Sequence, residues 1–286
     1  MENAIRRFLA YLELDCRATA NTILAYKTDL SQFSTFLGSR LESSAPIEAL
    51  QIANLKNYRM WLEGRGYAPS TIARKLASMR SFLIFMNERE SIECQQALDA
   101  LQAPSQPRQR PRVLEESEVH AIFEEVQTAQ TTRSLRDWAI LALLESTGMR
   151  ASEIVALRLS DFDLDRDCVN RPPQRASEIP LGDSAEVVRN YIENGRPNLL
   201  RDSHEDSCFL NLRGQALTRQ GLWLVVKNWA RAAGVKGDIS PHTFRHSVAK
   251  KWLQAGKSHQ EVQQLLGLSS PNTLRIHLQL NGTSED

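Results

Sequence analysis

The sequence predicts a mainly α-helical protein with one small antiparallel β-sheet, divided into a helical front domain and a mixed α/β back domain. Three observations carry that expectation. Apolar residues recur at helical spacing through the first hundred positions and again over most of the second half. One stretch, 161–181, loses that period and holds Asp and Pro clusters around Cys168-Val169 and Ile179-Pro180-Leu181, the pattern of short strands. Between the halves, Ala103-Pro104-Ser105-Gln106-Pro107-Arg108-Gln109-Arg110-Pro111-Arg112 combines three prolines and three arginines with no apolar side chain larger than alanine, which reads as an extended basic linker. The expected division is therefore 1–103, a linker at 104–112, and 113–286.

In chain order, Ile5, Phe8, Leu9 and Leu12 form the apolar stripe of a first helix. Asn21-Thr22 offers a cap for a second, which carries Leu24, Tyr26, Leu30, Phe33 and Phe36. Leu55, Tyr58, Met60 and Trp61 mark a third. The fourth follows Ala68-Pro69-Ser70 and spans 71–86, with Ile72, Leu76, Met79, Phe82, Leu83 and Phe85 apolar. Its polar side, Thr71, Arg74, Lys75, Ser78 and Arg80, is either a solvated face or, beside the arginines of the linker, a surface for phosphates. In the back half an apolar helix over 135–146 stops at Gly148, and a shorter one carries Ile154, Val155 and Leu157. Further helices are expected over 187–192 and 218–233. Ser240-Pro241 starts another, and the capping box Ser258-His259-Gln260-Glu261 opens one that ends at Gly267. The tail over 273–280 alternates polar and apolar residues like a strand.

Composition narrows the class. With 42% hydrophobic and 24% charged residues, 13 Gly and 11 Pro, the chain fits ordinary globular folding and excludes collagen-like, coiled-coil and wholly disordered classes. Its 286 residues suit about two domains at roughly 150 residues each. Charge is nearly balanced at +1, but not evenly spread. Residues 1–112 hold 15 Lys and Arg against 11 Asp and Glu, the remainder 20 against 23, so the basic excess lies in front. No apolar run approaches the roughly 18 residues of a membrane span, and the start lacks the apolar core of a signal peptide, so a cytoplasmic, soluble protein without a membrane partner is expected. Cys16, Cys94, Cys168 and Cys208 form no CxxC pair, which argues against a zinc module or disulfide framework and leaves no metal or other cofactor to expect.

The chemistry gathers near the end. In Ser240-Pro241-His242-Thr243-Phe244-Arg245 the helix start puts His242 and Arg245 on adjacent turns of one face, aimed at one place. Four segments, taken together and in order, resemble the tyrosine recombinases of the Xer and phage-integrase type over nearly the whole chain. They are Thr147-Gly148-Met149-Arg150-Ala151-Ser152-Glu153-Ile154, Leu217-Thr218-Arg219-Gln220-Gly221-Leu222-Trp223, Ser240-Pro241-His242-Thr243-Phe244-Arg245-His246-Ser247 and Val262-Gln263-Gln264-Leu265-Leu266-Gly267. The resemblance implies a helical, SAM-like core-binding domain and a mixed α/β catalytic-type domain that clamp duplex DNA between them. It also implies a phosphodiester transesterification in which two arginines hold the scissile phosphate, a tyrosine attacks it, and a lysine and a histidine handle protons. Planar guanidinium forks suit that work, since they match phosphate oxygens and stabilise growing negative charge.

Carried over by position, Arg150 is the first arginine, Glu153 its acidic support, and His242 and Arg245 the histidine and second arginine. The other positions depart. Counting back from Ile179-Pro180-Leu181 puts Pro172 where the family has lysine, with Arg175 the nearest cation, and an arginine is a poor acid because its pKa exceeds about 12. Leu268 stands where a histidine is usual, and His277 where the tyrosine should be. The five tyrosines, Tyr11, Tyr26, Tyr58, Tyr67 and Tyr191, all lie far upstream. Arg219, Gln220 and Lys227 form either an exposed helix face or DNA contacts, and Arg108, Arg110 and Arg112 extend the basic set.

Three functions follow as expectations. The first is a DNA-binding protein of recombinase descent without autonomous cleavage, acting as an architectural or regulatory partner of itself or of an active recombinase. The second is an active recombinase using His277 or a partner subunit's tyrosine, since imidazole can form covalent intermediates. The third is an interaction module that has lost DNA binding. No small-molecule substrate is expected.

Overall fold

In the computed structural model, residues 1–38, 52–101, 112–173 and 178–268 are described; statements below concern these. The chain forms two compact units, Met1–Pro107 and Arg108–Asp286. The fold is mostly helical with one small three-stranded antiparallel sheet, as the sequence predicts.

The first unit contains α1 (Glu2–Leu14), α2 (Ala20–Gly38), α3 (Ile52–Gly64), α4 (Pro69–Arg89) and α5 (Gln95–Ala100). Each long helix buries one stripe: Ile5, Phe8 and Leu12 from α1, Leu30, Phe33 and Leu37 from α2, Leu55, Tyr58 and Leu62 from α3, and Leu76, Met79, Phe82, Leu83 and Met86 from α4. Aromatic rings lock the stripes together, with Phe8 edge-on to Phe82 at 5.5 Å and Phe33 edge-on to Tyr58 at 5.0 Å. Helix α2 starts earlier than the expected Asn21-Thr22 cap, because Thr19 Oγ1 accepts from the Thr22 N–H (3.2 Å). Met60, expected on the buried stripe of the third helix, is exposed, and Leu62 takes its place.

The polar side of α4 is not the open basic face expected from sequence. Asp29, in α2, is only 1% exposed and gathers three of its groups. Lys75 Nζ donates to Asp29 Oδ1 (3.0 Å), Ser78 Oγ donates to Oδ2 (2.9 Å), and Arg74 Nη1 also donates to Oδ2. Lys75 and Ser78 are buried against Asp29 and so do not form the open face expected of them. The reason is physical: a carboxylate taken out of water must be paired and hydrogen-bonded, and Asp29 consumes the nearest cations. Arg74 keeps half its side chain exposed, Arg80 is exposed and Thr71 is half-buried.

The second unit contains α6 (Glu116–Thr128), α7 (Thr132–Thr147), α8 (Ala151–Val155), the strands β1 (Phe162–Asp163), β2 (Cys168–Asn170) and β3 (Glu178–Pro180), then α9 (Ser184–Asn190), α10 (Arg196–Leu199), α11 (Arg219–Ala232), α12 (Pro241–Gln254) and α13 (His259–Leu266). The sheet runs in the order β1-β2-β3, with Phe162 opposite Val169 and Val169 opposite Ile179. Val169 and Ile179 enter the core beside Ile140, Leu141 and Leu144 of α7, Leu222 and Val226 of α11, and Phe244 of α12. The helix expected over 187–192 is longer, since α9 continues through a wide turn at Tyr191–Gly195 into α10. Gly148 ends α7 with φ 58°, a left-handed conformation that glycine adopts without strain. A Cβ there would also stand 2.8 Å from Leu266 Cδ2 of α13, so this residue fixes how closely the α7 turn and α13 approach. The linker apart from Arg112 and the strand-like tail over 273–280 lie outside the described residues.

Replacing Asp29 by Ala strands Lys75 in an apolar environment, and the full chain should lose about 3–5 kcal/mol in urea denaturation. The double variant Asp29→Leu, Lys75→Met, which removes both buried charges, should lose much less.

Candidate functional site

The α7 turn, the end of β2, and helices α12 and α13 bring three guanidinium groups to one buried carboxylate. Arg150 is the N-cap of α8, and its backbone N–H donates to Glu153 Oε2 (2.6 Å) while its Nη1 donates to Glu153 Oε1 (2.8 Å). The i, i+3 spacing read from sequence thus closes into a ring that fixes the arginine. Arg245, on α12, is 2% exposed and stands 4.0 Å from Glu153 Oε2. Its Nη1 donates to the Gly148 carbonyl and its Nη2 to the Leu266 carbonyl, both at 2.6 Å. Arg171, immediately after β2, places Nη1 3.8 Å from Glu153 Oε1 and donates through Nη2 to the Leu265 carbonyl. Arg150 Nη2 reaches the Gly267 carbonyl (3.2 Å). The three arginines therefore address three successive carbonyls at the end of α13, where the helix dipole is negative.

Three guanidinium groups against one carboxylate leave a local excess of two positive charges. Burial lowers the affinity of Arg245 for its proton to a pKa of about 9, with Arg150 adding to the effect and Glu153 opposing it. Burial also lowers the pKa of Arg171. Both remain cations at neutral pH, and their charge is under-compensated. His242, on the exposed side of α12, is held below its ordinary pKa by desolvation and by Arg245 and Arg150. His246, one turn on, is pushed down to about 4 by burial, then by His242 and Arg245. Neutral imidazoles beside excess guanidinium charge make a pocket suited to a singly or doubly charged oxyanion.

Arg150, Glu153, His242 and Arg245 thus come together. Pro172 follows Arg171 and offers no donor. Leu268 packs with Ala249, Val262 and Leu266 in a small apolar cluster and brings no polar side chain to the pocket. Arg175, His277, Arg108 and Arg110 lie outside the described residues. Arg112 is not part of a free linker: its Nη2 donates to Glu118 Oε1 (2.5 Å) and to the Lys236 carbonyl (3.4 Å). On α11, Arg219 and Gln220 are exposed at the N-terminal end, whereas Lys227 lies over the Trp223 ring (4.3 Å) and 3.5 Å from Asp238. Sequence reasoning missed Arg171, although its position one residue before Pro172 was the available signal. Among the described residues no group of His, Cys, Asp and Glu could hold a metal ion, and no helix is long and apolar enough to cross a membrane.

Comparison with known proteins places these observations. Residues 112–283 match the phage integrase family, and residues 5–90 match the phage integrase N-terminal SAM-like domain. The chain is similar to a tyrosine recombinase XerC from Roseiflexus sp. (strain RS-1), 35% identical over 289 residues that cover 99% of this chain and 91% of the relative. It is also similar to a tyrosine recombinase XerD from Listeria monocytogenes serovar 1/2a, 33% identical with 97% and 94% covered. Among solved structures, the XerH site-specific recombinase bound to a palindromic difH substrate aligns with a TM-score of 0.71 at 19% identity, covering 98% of this chain and 86% of that one. A lambda integrase dimer bound to a COC' core site aligns with a TM-score of 0.69 at 15% identity, covering 100% and 98%. At these identities the structural likeness speaks for the fold.

His246 should titrate near pH 4 by NMR, well below the ordinary histidine value of about 6.5. Because the folded pKa is depressed, the unfolded chain takes up the proton first. This histidine's contribution to stability is therefore whole above about pH 6.5 and is lost as pH falls toward 4. His246→Asn should flatten the stability profile over that window.

Proposed function

This chain belongs to the phage integrase family, which it shares with Xer-type tyrosine recombinases, and on that premise we propose that it binds duplex DNA without cleaving it unaided. In this reading it acts in DNA recombination as an architectural or regulatory partner, of itself or of an active recombinase. One observation supports the reading: Arg150, Glu153, His242 and Arg245 are assembled, while the positions at which the sequence resemblance expects lysine, histidine and tyrosine hold Pro172, Leu268 and His277.

Arg150, Arg245 and His242 supply donors and positive charge for a backbone phosphate, with Glu153 setting the orientation of Arg150. Exposed Arg80 and Arg219, half-exposed Arg74, and Gln220 and Thr71 are proposed as further backbone contacts, with Arg108 and Arg110 adding sequence-independent charge. Against cleavage stands the lack of a usable phenol. Tyr191 is the one tyrosine in residues 108–286. It is fully buried, its hydroxyl donates to the Cys208 carbonyl (3.1 Å), and burial pushes its pKa far up, so it cannot act as a nucleophile. A guanidinium and a proline at the end of β2 provide no ready proton for a leaving oxygen, and Leu268 donates nothing from its side chain. Transfer without a proper acid typically costs about 10²–10⁴-fold, and loss of one transition-state donor about 10²–10³-fold.

The deciding experiment is a suicide assay with a nicked duplex carrying a site selected by this protein from random DNA, run on wild type, His277→Ala and His277→Tyr. No covalent adduct is expected from any of the three. A wild-type adduct that vanishes in His277→Ala would make His277 the nucleophile and overturn the proposal. One that survives would assign the attack elsewhere and overturn it equally.

Binding itself should be steeply salt-dependent: neutralising about six phosphates lowers affinity roughly a thousandfold between 50 and 200 mM salt. Arg150→Ala or Arg245→Ala should each weaken it by about 1.5–3 kcal/mol, the scale of a hydrogen bond to a charged group. Absence of binding at low salt would show instead an interaction module that no longer uses DNA.

A further inference from the structure

We propose that Arg171 is a third phosphate-binding arginine of this site, taking a backbone phosphate oxygen on its Nη1 while its Nη2 keeps hold of the Leu265 carbonyl. This deepens the DNA-binding reading above and rests on it.

The observation that leads there is an unmet donor. Arg171 is 8% exposed, and its Nη1 is the buried side-chain nitrogen without a hydrogen-bond partner among the described residues. The nearest carboxylate oxygen, Glu153 Oε1, lies 3.8 Å away and is already engaged by Arg150 Nη1 at 2.8 Å. A buried donor left unmade is costly, the more so for a charged group, so a position that keeps one is poised for an acceptor that arrives from outside. A structural arginine in this same unit looks different: Arg136 gives Nε and Nη2 to Asp137 Oδ1 and Nη1 to the Leu210 carbonyl.

Gly267, whose φ is 60°, lies against Arg171 Nη1: an added Cβ there would collide with this nitrogen. The Gly267 carbonyl is held by Arg150 Nη2 through a single contact of 3.2 Å. Arg150 is also the most accessible of the three arginines, so an incoming phosphate would meet it first and compete with that carbonyl for its Nη2. Releasing the carbonyl frees the Gly267 peptide to move off Arg171. Anion capture by Arg150 and exposure of the Arg171 donor are then one event. A guanidinium in this place binds and neutralises a phosphate oxygen but surrenders no proton at neutral pH.

The test uses full-length protein and a 30-bp duplex of random sequence, with affinity measured between 50 and 200 mM salt. Arg171→Gln retains an amide able to donate to the Leu265 carbonyl but removes the charge. It should bind at least about tenfold more weakly at 100 mM salt, with the slope of log affinity against log salt reduced by about one. Arg171→Lys should keep the wild-type slope. A merely structural arginine would lower thermal stability but leave the slope intact, so an unchanged slope in Arg171→Gln overturns the inference. If Arg150→Ala flattens the slope and Arg171→Gln does not, only this inference fails. If wild type does not bind duplex, the functional reading fails with it. Should Arg171→Gln not fold, the wild-type Arg171 guanidinium is followed by ¹⁵N NMR during titration with the same duplex. Its resonances should move on binding, and resonances that stay fixed overturn the inference.

Discussion

Everything at this site hangs on one buried carboxylate. Glu153 is the counter-charge that lets Arg150, Arg171 and Arg245 converge, and without it three guanidinium groups would be desolvated against one another. Its own placement is local, since the Arg150–Glu153 ring closes within one turn of α8. The rest is long-range. Arg245 arrives from α12 and braces the Gly148 turn, Arg171 arrives from the sheet, and all three donate to the last carbonyls of α13. Gly148 makes this possible, because any side chain there would push Leu266, and with it those carbonyls, away. The carbonyl row is a partial stand-in for an anion: each bond satisfies a donor, but none supplies a full negative charge.

That arrangement separates holding from cutting. Holding needs positive charge in excess and donors that point inward, and the three arginines provide both. Cutting also needs groups that change protonation or form bonds, and of these the cluster holds the imidazoles of His242 and His246 but, among the described residues, no phenol. An amine can give up a proton near neutral pH whereas a guanidinium does not, so the three arginines serve the first task and not the second. Likewise Leu268 completes an apolar cluster with Ala249, Val262 and Leu266, which secures α13 on α12 but gives nothing to a phosphate. The cluster also holds this chain's own helices together, since its arginines brace the Gly148 turn and the end of α13.

Much of this was legible in the sequence, and the exceptions share a cause. Stripes such as Leu30, Phe33 and Leu37, the capping box at Ser258 and Glu261, and the stop at Gly148 are local patterns, and local patterns survive without knowledge of the fold. The motif around Arg150, Glu153, His242 and Arg245 was legible as well, each piece being short and distinctive. What sequence hid were partnerships across the chain. Lys75 and Ser78 read as surface because nothing nearby in sequence announces that Asp29, 46 residues away from Lys75, is buried beside them. Arg171 was passed over because counting from Ile179-Pro180-Leu181 fixed attention on Pro172, whereas reach is set by where β2 ends and how far a guanidinium extends. Lys227 looked free because its partners, Trp223 and Asp238, come from its own helix face and a later loop.

The arginines of this protein can be sorted by what remains after their intramolecular bonds are counted. Arg136 gives Nε and Nη2 to Asp137 and Nη1 to the Leu210 carbonyl, and Asp137 also accepts from Trp229 Nε1 (2.9 Å). Arg133 Nε also stands 3.5 Å from Asp137 Oδ2 but keeps half its side chain in water, while each side-chain nitrogen of Arg136 has an acceptor, and the group welds α7 to α11. Around Asp29 two cations meet one carboxylate, but Arg74 keeps half its side chain in water, where solvent screens the excess. Around Glu153 three cations meet one carboxylate, two of the cations are buried, and one donor has no acceptor. Water reaches Arg150 and screens its charge, but not the charge of the two buried arginines. Of the three clusters it alone, among the described residues, keeps a buried donor without an acceptor, and a phosphodiester oxygen, negative and able to accept from more than one fork, has the chemistry to meet it.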